Sequence, residues 1–286
     1  MKKFLATICV AALLLTGCGG GEKVADKPAK NYSAAELKLG MTTRLNTDEE
    51  KMGGILDEAA EKLGVKGTKH LPKFYDNLRA MQLGIDAGEV QAISTYKCVA
   101  DYLVANNSNF EIVPNEALNK LSDYFCFAVR KEDTALKNDL DKAINDMKSD
   151  GTLDRLINEN ISDVDKGKEP PKVNLPNFVG APTIKVGVTG DLPPLDLVLA
   201  DNSPAGFNTA MLAEISKRCG KNIEIVQIET GARAAALNSK LIDVVFWVIV
   251  PFGNEITADI DKPEGIELSA PYFKDDVAVI QLKSNK

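Results

Sequence analysis

The chain has 286 residues and a formal charge of -7, with no basic stripe, so it is an acidic globule without the footprint of a nucleic-acid binder. At 44% hydrophobic residues it can bury a sizeable core, and its length suits two lobes or two small domains. A single histidine, His70, and cysteine spacings that fit no metal motif leave metal sites, cofactors and histidine-dependent triads little to work with. His70 sits in the lysine-rich stretch KGTKHLPK and reads as a solvated strand or loop residue.

Lys2 and Lys3 precede FLATICVAALLLTG, a run of the length of a secretory h-region. It is too short for a membrane helix, which needs about 20 apolar residues. Leu15-Thr16-Gly17-Cys18 resembles a bacterial lipobox, in which Cys18 becomes the acylated first residue after cleavage. The alternative is an ordinary signal peptide with an incidental cysteine. Removing residues 1–17 takes away Lys2 and Lys3 and moves the formal charge from -7 to -9. Residues 18–35 then form a lipidated flexible tether, and the protein is expected on the extracytoplasmic face of the cell envelope, in the periplasm or on the outer face of the cell membrane. With Cys9 in the signal and Cys18 as anchor, Cys98, Cys126 and Cys219 allow at most one bridge plus a free thiol.

Strands and helices alternate from there. Leu37–Met41 reads as a strand, Thr42–Asn46 as a polar loop, and Asp48–Leu63 as an amphipathic helix with apolar Met52, Ile55, Leu56, Ala59, Ala60 and Leu63. A strand at Lys69–Tyr75, a helix at Asn77–Asp86, a strand at Val90–Thr95, a helix from Lys97 and a strand at Phe110–Val113 follow. Tyr124–Arg130 reads as a further strand, and 135–161 as one or two helices. Residues 162–182, rich in proline and charge, form a linker.

The second half repeats the alternation: a strand at Ile184–Val188, a helix at Thr209–Arg218 closed by Gly220, a strand at Ile223–Ile228, a helix at Arg233–Leu237 and a strand at Asp243–Val248. Parallel strands covered on both faces account for the unbroken apolar run VVFWVIV. The passages 85–93 and 237–245 both run from helix through a small-residue turn into a buried strand. The fold class is α/β, with two Rossmann-like lobes and a ligand cleft between them at the strand ends.

Four motifs then point to one family. They are Ile184-Lys-Val-Gly-Val-Thr-Gly-Asp-Leu-Pro-Pro-Leu195, the helix from Gly206 to Gly220, the passage Leu237–Val245, and Leu268-Ser-Ala-Pro-Tyr-Phe273. Together they resemble the type II periplasmic solute-binding proteins, in particular the branch serving polar amino-acid ABC transporters (bacterial extracellular solute-binding protein family 3). The likeness covers nearly all of residues 36–284. In that family the first of these segments opens the mature chain, whereas here pieces like the family's second lobe come first. The resemblance therefore implies a circularly permuted order: second lobe at 36–118, return strand and closing helices at 119–161, linker at 162–182 and first lobe at 183–286. Two truncated binding domains in tandem are the alternative. The permuted order also implies that Asp276–Leu282 lies near the start of the residue 37 strand, with one of two hinge strands cut.

The family grips an amino acid with an aromatic or apolar clamp, an arginine on the α-carboxylate and an aspartate on the α-ammonium, and this sequence departs on all three. The carboxylate arginine position holds Glu255. Arg233, which is otherwise a surface helix arginine, and Arg44, in the first second-lobe loop, are the candidate substitutes. Tyr96 stands where the aspartate would, and Leu195 at the clamp. Trp247, the only tryptophan, falls at a cleft-lining position or in the core. Asp191, Thr189, Thr43, Asn46 and Ser94 are further polar candidates, each equally readable as loop or turn structure.

The resemblance implies a lipid-anchored solute receptor, a monomer, that captures an amino acid or related polar ligand by lobe closure and delivers it to ABC permease subunits. The missing arginine and aspartate favour an alternative, a ligand-degenerate fold acting as a sensory or interaction protein. An enzyme would need a poised acid or base, and no spacing selects one.

Overall fold

The computed structural model describes residues 36–162 and 167–284; the N-terminal apolar run and Cys18 lie outside them. In chain order the elements are β1 (Glu36–Thr42), α1 (Glu49–Lys62), β2 (Lys69–Tyr75), α2 (Leu78–Asp86), β3 (Ala92–Tyr96), α3 (Lys97–Asn106) and β4 (Phe110–Val113). A short 3-10 turn, Leu118–Lys120, leads to β5 (Ser122–Arg130), then α4 (Thr134–Ser149) and α5 (Thr152–Ile157). The remainder is β6 (Thr183–Val188), β7 (Asp191–Leu192), β8 (Asp196–Val198), β9 (Pro204–Ala205), α6 (Phe207–Cys219), β10 (Asn222–Gln227), α7 (Arg233–Asn238), β11 (Val244–Phe252), β12 (Ile266–Leu268) and β13 (Phe273–Leu282).

Local chemistry accounts for the element ends nearest the cleft. Asp48 accepts from the Lys51 amide and caps α1, with Glu49 and Glu50 in the first turn complementing the helix dipole. Met52, Leu56, Ala59 and Ala60 form its buried face. Asn77 caps α2 in the same way through the Ala80 amide. The apolar run of β11 lies between β6 and β5, so both of its faces are covered.

Ten strands form one continuous sheet with two similar halves. One half runs β2-β1-β3-β13-β4, the other β10-β6-β11-β5-β12. In each, the first three strands are parallel, and the strand inserted beside the third is antiparallel to it. Each inserted strand follows the fourth strand of the opposite half in the chain: β5 comes after β4, and β13 after β12. The halves are therefore joined by two reciprocal crossings. Phe273–Asp276 pairs with β5 in one half, and Val277–Leu282 continues into the other to pair with β3 and β4. The expectation of a cut hinge strand is corrected here, because β13 runs unbroken through both halves and does not pair with β1. Both halves lie within one compact unit.

His70 also departs from expectation. It lies in β2 as read, but it is buried, because α1 covers this strand and brings Asp57 to it. The Asp57 carboxylate sits 2.8 Å from His70 Nδ1 and accepts the His70 backbone amide at 2.8 Å. Cys98, Cys126 and Cys219 are all free thiols, the first two buried.

Asp196 organises the loop after β6. Its Oδ2 accepts from the backbone amides of Thr189 and Gly190, both at 3.0 Å, and from the Thr189 hydroxyl. It is almost fully buried, and burial pushes its carboxyl from an ordinary 3.8 to about 6 against those donors. Between those two values the folded chain holds more protons than the unfolded one, so stability falls as pH rises through this window and is regained on acidification. A shift of this size corresponds to about 3 kcal/mol. We expect urea denaturation of the wild type against Asp196→Asn to show a stability difference that moves toward the wild type by up to that amount between pH 7 and pH 4. A difference independent of pH would contradict the assignment.

Candidate functional site

The cleft lies where the loops after β1 and β2 and the end of β3 in one half meet the loops after β6 and β10, the end of β11 and the 256–262 segment of the other. Hydrogen bonds stitch these loops across the divide on both sides. On one side Thr230 N donates to Asp76 O at 3.2 Å, Asn77 Nδ2 to Glu229 Oε2 at 3.3 Å, and Leu78 N to Asp191 Oδ2 at 2.5 Å. On the other, Leu45 N donates to Asp261 Oδ1 at 2.6 Å, Asn46 Nδ2 to Lys262 O at 3.1 Å, and Thr47 Oγ1 to Ile260 O at 2.6 Å. Close approach sets the residue type at Gly231, where an added Cβ would meet Asp76 Oδ1 at 2.7 Å.

Arg233 runs through the middle of this seam, with no exposed surface. Its Nε donates to Thr230 O at 3.0 Å and its Nη1 to Trp247 O at 2.9 Å, both in its own half. Its Nη2 donates to Thr43 O at 3.1 Å, in the other half. The guanidinium also stacks on the Trp247 ring, 4.5 Å from its centroid. Burial draws its pKa down to about 10, opposed by the charge of Asp261.

Trp247 presents its carbonyl to Arg233 because β11 bulges there. Phe246 and Trp247 share the space opposite Phe127, and Trp247 takes φ 36°, a strained backbone for a bulky residue.

The structure thus separates the residues singled out from sequence. Arg233, Trp247, Thr43, Asp191 and Asn46 are placed in the seam. Thr43 Oγ1 donates to Asp76 Oδ1 at 3.0 Å, and Asp191 receives the first amide of α2. Leu195 is buried in the core of the half that holds β6. Thr189 serves the Asp196 loop. Arg44, Tyr96 and Ser94 are brought together elsewhere, in the lining of a partly open chamber between the halves.

Asp123, at the start of β5, is the residue that sequence reading missed. It is buried beside Arg44 in that chamber, and its Oδ2 accepts from the Tyr96 hydroxyl at 2.9 Å. Burial pushes the Asp123 carboxyl up, and the Arg44 charge opposes this. Burial also raises Tyr96 far above a usual phenol, so its hydroxyl is a fixed donor. Arg44 is pulled down by burial but pushed up by Tyr96, Asp261 and Asp123, ending above its ordinary value. Its Nε and Nη1 are buried with no hydrogen-bond partner among the described residues. Such donors are costly unless something accepts from them. A lone aspartate at the head of an otherwise apolar strand, SDYFCFAVR, was the available sequence signal for Asp123.

Removing the guanidinium that spans the seam takes its donors from the Trp247 and Thr43 carbonyls, while Thr230 O keeps the Arg233 backbone amide, and leaves a void against Trp247. We expect Arg233→Met to lose about 3–5 kcal/mol of stability by chemical denaturation. A loss below about 1 kcal/mol would show that the seam does not depend on it.

Residues 184–286 match the family model of the bacterial extracellular solute-binding proteins, family 3. No curated protein matches the chain. Among solved structures it is similar to the GluR0 ligand-binding core from Nostoc punctiforme in complex with (L)-glutamate, at 10% identity over 86% of this chain and 85% of that one, with a TM-score of 0.37. It is also similar to an ancestral arginine-binding protein bound to arginine, at 13% identity over 88% and 86%, with a TM-score of 0.38. A third is CbnR, a LysR family transcriptional regulator, at 11% identity over 87% of this chain and 64% of that one, with a TM-score of 0.42. No helix among the described residues is long and apolar enough to cross a membrane. The described residues form a mixed α/β fold, and the segment 184–286 is similar to the bacterial extracellular solute-binding proteins, family 3.

Proposed function

We propose that the protein is a lipid-anchored receptor on the extracytoplasmic side of the membrane, capturing a small polar ligand between its lobes and delivering it to an ABC importer. The ligand is an amino acid or a related compound. Arg44 carries this reading: it lines the inter-lobe chamber with the buried Asp123, and its Nε and Nη1 have no hydrogen-bond partner among the described residues. A cation and an anion in one largely apolar chamber offer the two ends of a zwitterion what they lose on leaving water. Arg44 takes the α-carboxylate and Asp123 the α-ammonium, with Tyr96 holding Asp123 in place. Access requires the seam to open and reclose, a hinge movement for which two continuous crossings between the halves are suited.

The strand order supports the permuted arrangement of the lobes. The half at 36–118 precedes the half at 183–286, and each borrows its antiparallel strand from the chain that follows the other. The second reading, an interaction or sensory protein built on the same fold, is favoured by one observation: Arg233 and Asp191, both placed to meet a ligand by sequence, are spent on the seam.

Isothermal titration of the mature protein with each of the twenty amino acids tests the main reading. Binding by at least one is expected, and Arg44→Gln and Asp123→Asn should each weaken it by about 30-fold or more. Absence of heat and of thermal shift from all twenty would favour the second reading. For the anchor, Cys18→Ser is expected to move the protein from the membrane to the soluble envelope fraction. Unchanged membrane association would contradict lipidation.

A further inference from the structure

The chamber that receives Arg44 is otherwise walled by hydrocarbon. Met41, Met52, Leu56 and Leu121 line it from one half, and Ile249 and Ile260 from the other. All six are buried, so these walls are part of the core. Among the described residues Arg44 and Asp123 are the only charged side chains in the lining, and they are the two assigned above to the α-carboxylate and α-ammonium. The remaining polar lining is hydroxyl: Thr42, Ser94, Thr95 and Tyr96. Among the described residues no other lining side chain carries a charge that could balance one on the rest of the ligand, and Asp261, outside the lining, acts on Arg44 and Asp123.

We propose that the ligand is an amino acid with a short aliphatic side chain, and that Met52, Leu56 and Ile260 are the residues that select it. This rests on the zwitterion reading of Arg44 and Asp123. A charged side chain entering the chamber would be desolvated against thioether and branched hydrocarbon without a partner, a cost of several orders of magnitude in affinity. An aliphatic side chain instead gains buried apolar area there. Size is limited as well, because buried side chains from both lobes' cores wall the chamber, and a bulky ring would have to displace them.

The test is isothermal titration of the mature protein with alanine, valine and leucine against glutamate, arginine and tryptophan. At least one aliphatic amino acid is expected to bind at least tenfold more tightly than any of the other three. Preference for glutamate, arginine or tryptophan, or equal affinity across the panel, would overturn the inference while leaving amino-acid capture intact. No binding by any of the six, together with none in the wider titration, would overturn both. Leu121→Phe, which narrows the chamber, is expected to weaken leucine binding at least fivefold more than alanine binding. An unchanged ratio in a variant that retains its melting temperature would place the ligand side chain elsewhere and overturn the assignment. If the variant does not fold, the wild-type panel decides alone.

Discussion

The relation between the two halves of this protein depends on one buried guanidinium. Placing Arg233 in a dry interface costs several kcal/mol in lost hydration, and a buried charge of this kind survives only when nearly all its hydrogen-bonding capacity is met. Here three carbonyls meet it, one of them across the divide on Thr43, and the Trp247 ring covers a face. The bulge in β11 is part of the same arrangement. It strains Trp247, yet it frees the carbonyl that Arg233 needs. Residues on either side of the seam are thereby fixed in register, which brings the Arg44 loop over the start of β5.

That register creates the chamber. Arg44 comes from the loop after β1, Tyr96 from the end of β3, Asp123 from a crossing strand, and the apolar wall from both halves. No single half contains the whole set. The low dielectric of the surroundings strengthens the Arg44–Asp123 attraction and at the same time makes the unmet donors of Arg44 expensive, so the chamber is poised to accept a group that offers acceptors. Fold and site are linked through the reciprocal crossings: the strand that carries Asp123 belongs by sheet pairing to the half that lacks Arg44.

Much of the fold was legible in the sequence because it is written in local periodicity. The spacing of Met52, Ile55, Leu56, Ala59 and Ala60 gave α1, the Asn77 cap gave the start of α2, and the run VVFWVIV gave a strand covered on both faces. The site was less legible, since its residues meet only through long-range pairing. Arg233 reads as a surface helix residue, for nothing in GARAAAL reveals that a carbonyl 190 residues away will reach it. His70 was misjudged for the same reason, its partner Asp57 lying on a helix that folds over the strand. Asp123 carried a signal, a lone acid at the head of an otherwise apolar strand, but family spacing drew attention to Tyr96 instead. The two prove to be hydrogen-bonded neighbours.

The central claim is that the seam holds the two lobes in a fixed relation through Arg233. The most direct measurement is the inter-lobe distance distribution from spin labels at Leu83→Cys and Leu241→Cys, both well-exposed positions on opposite halves, in a Cys18→Ser, Cys219→Ser background. The account requires a single narrow distribution that broadens when Arg233→Met is added. A distribution that is already broad with Arg233 in place, or one that the substitution leaves unchanged, would contradict it.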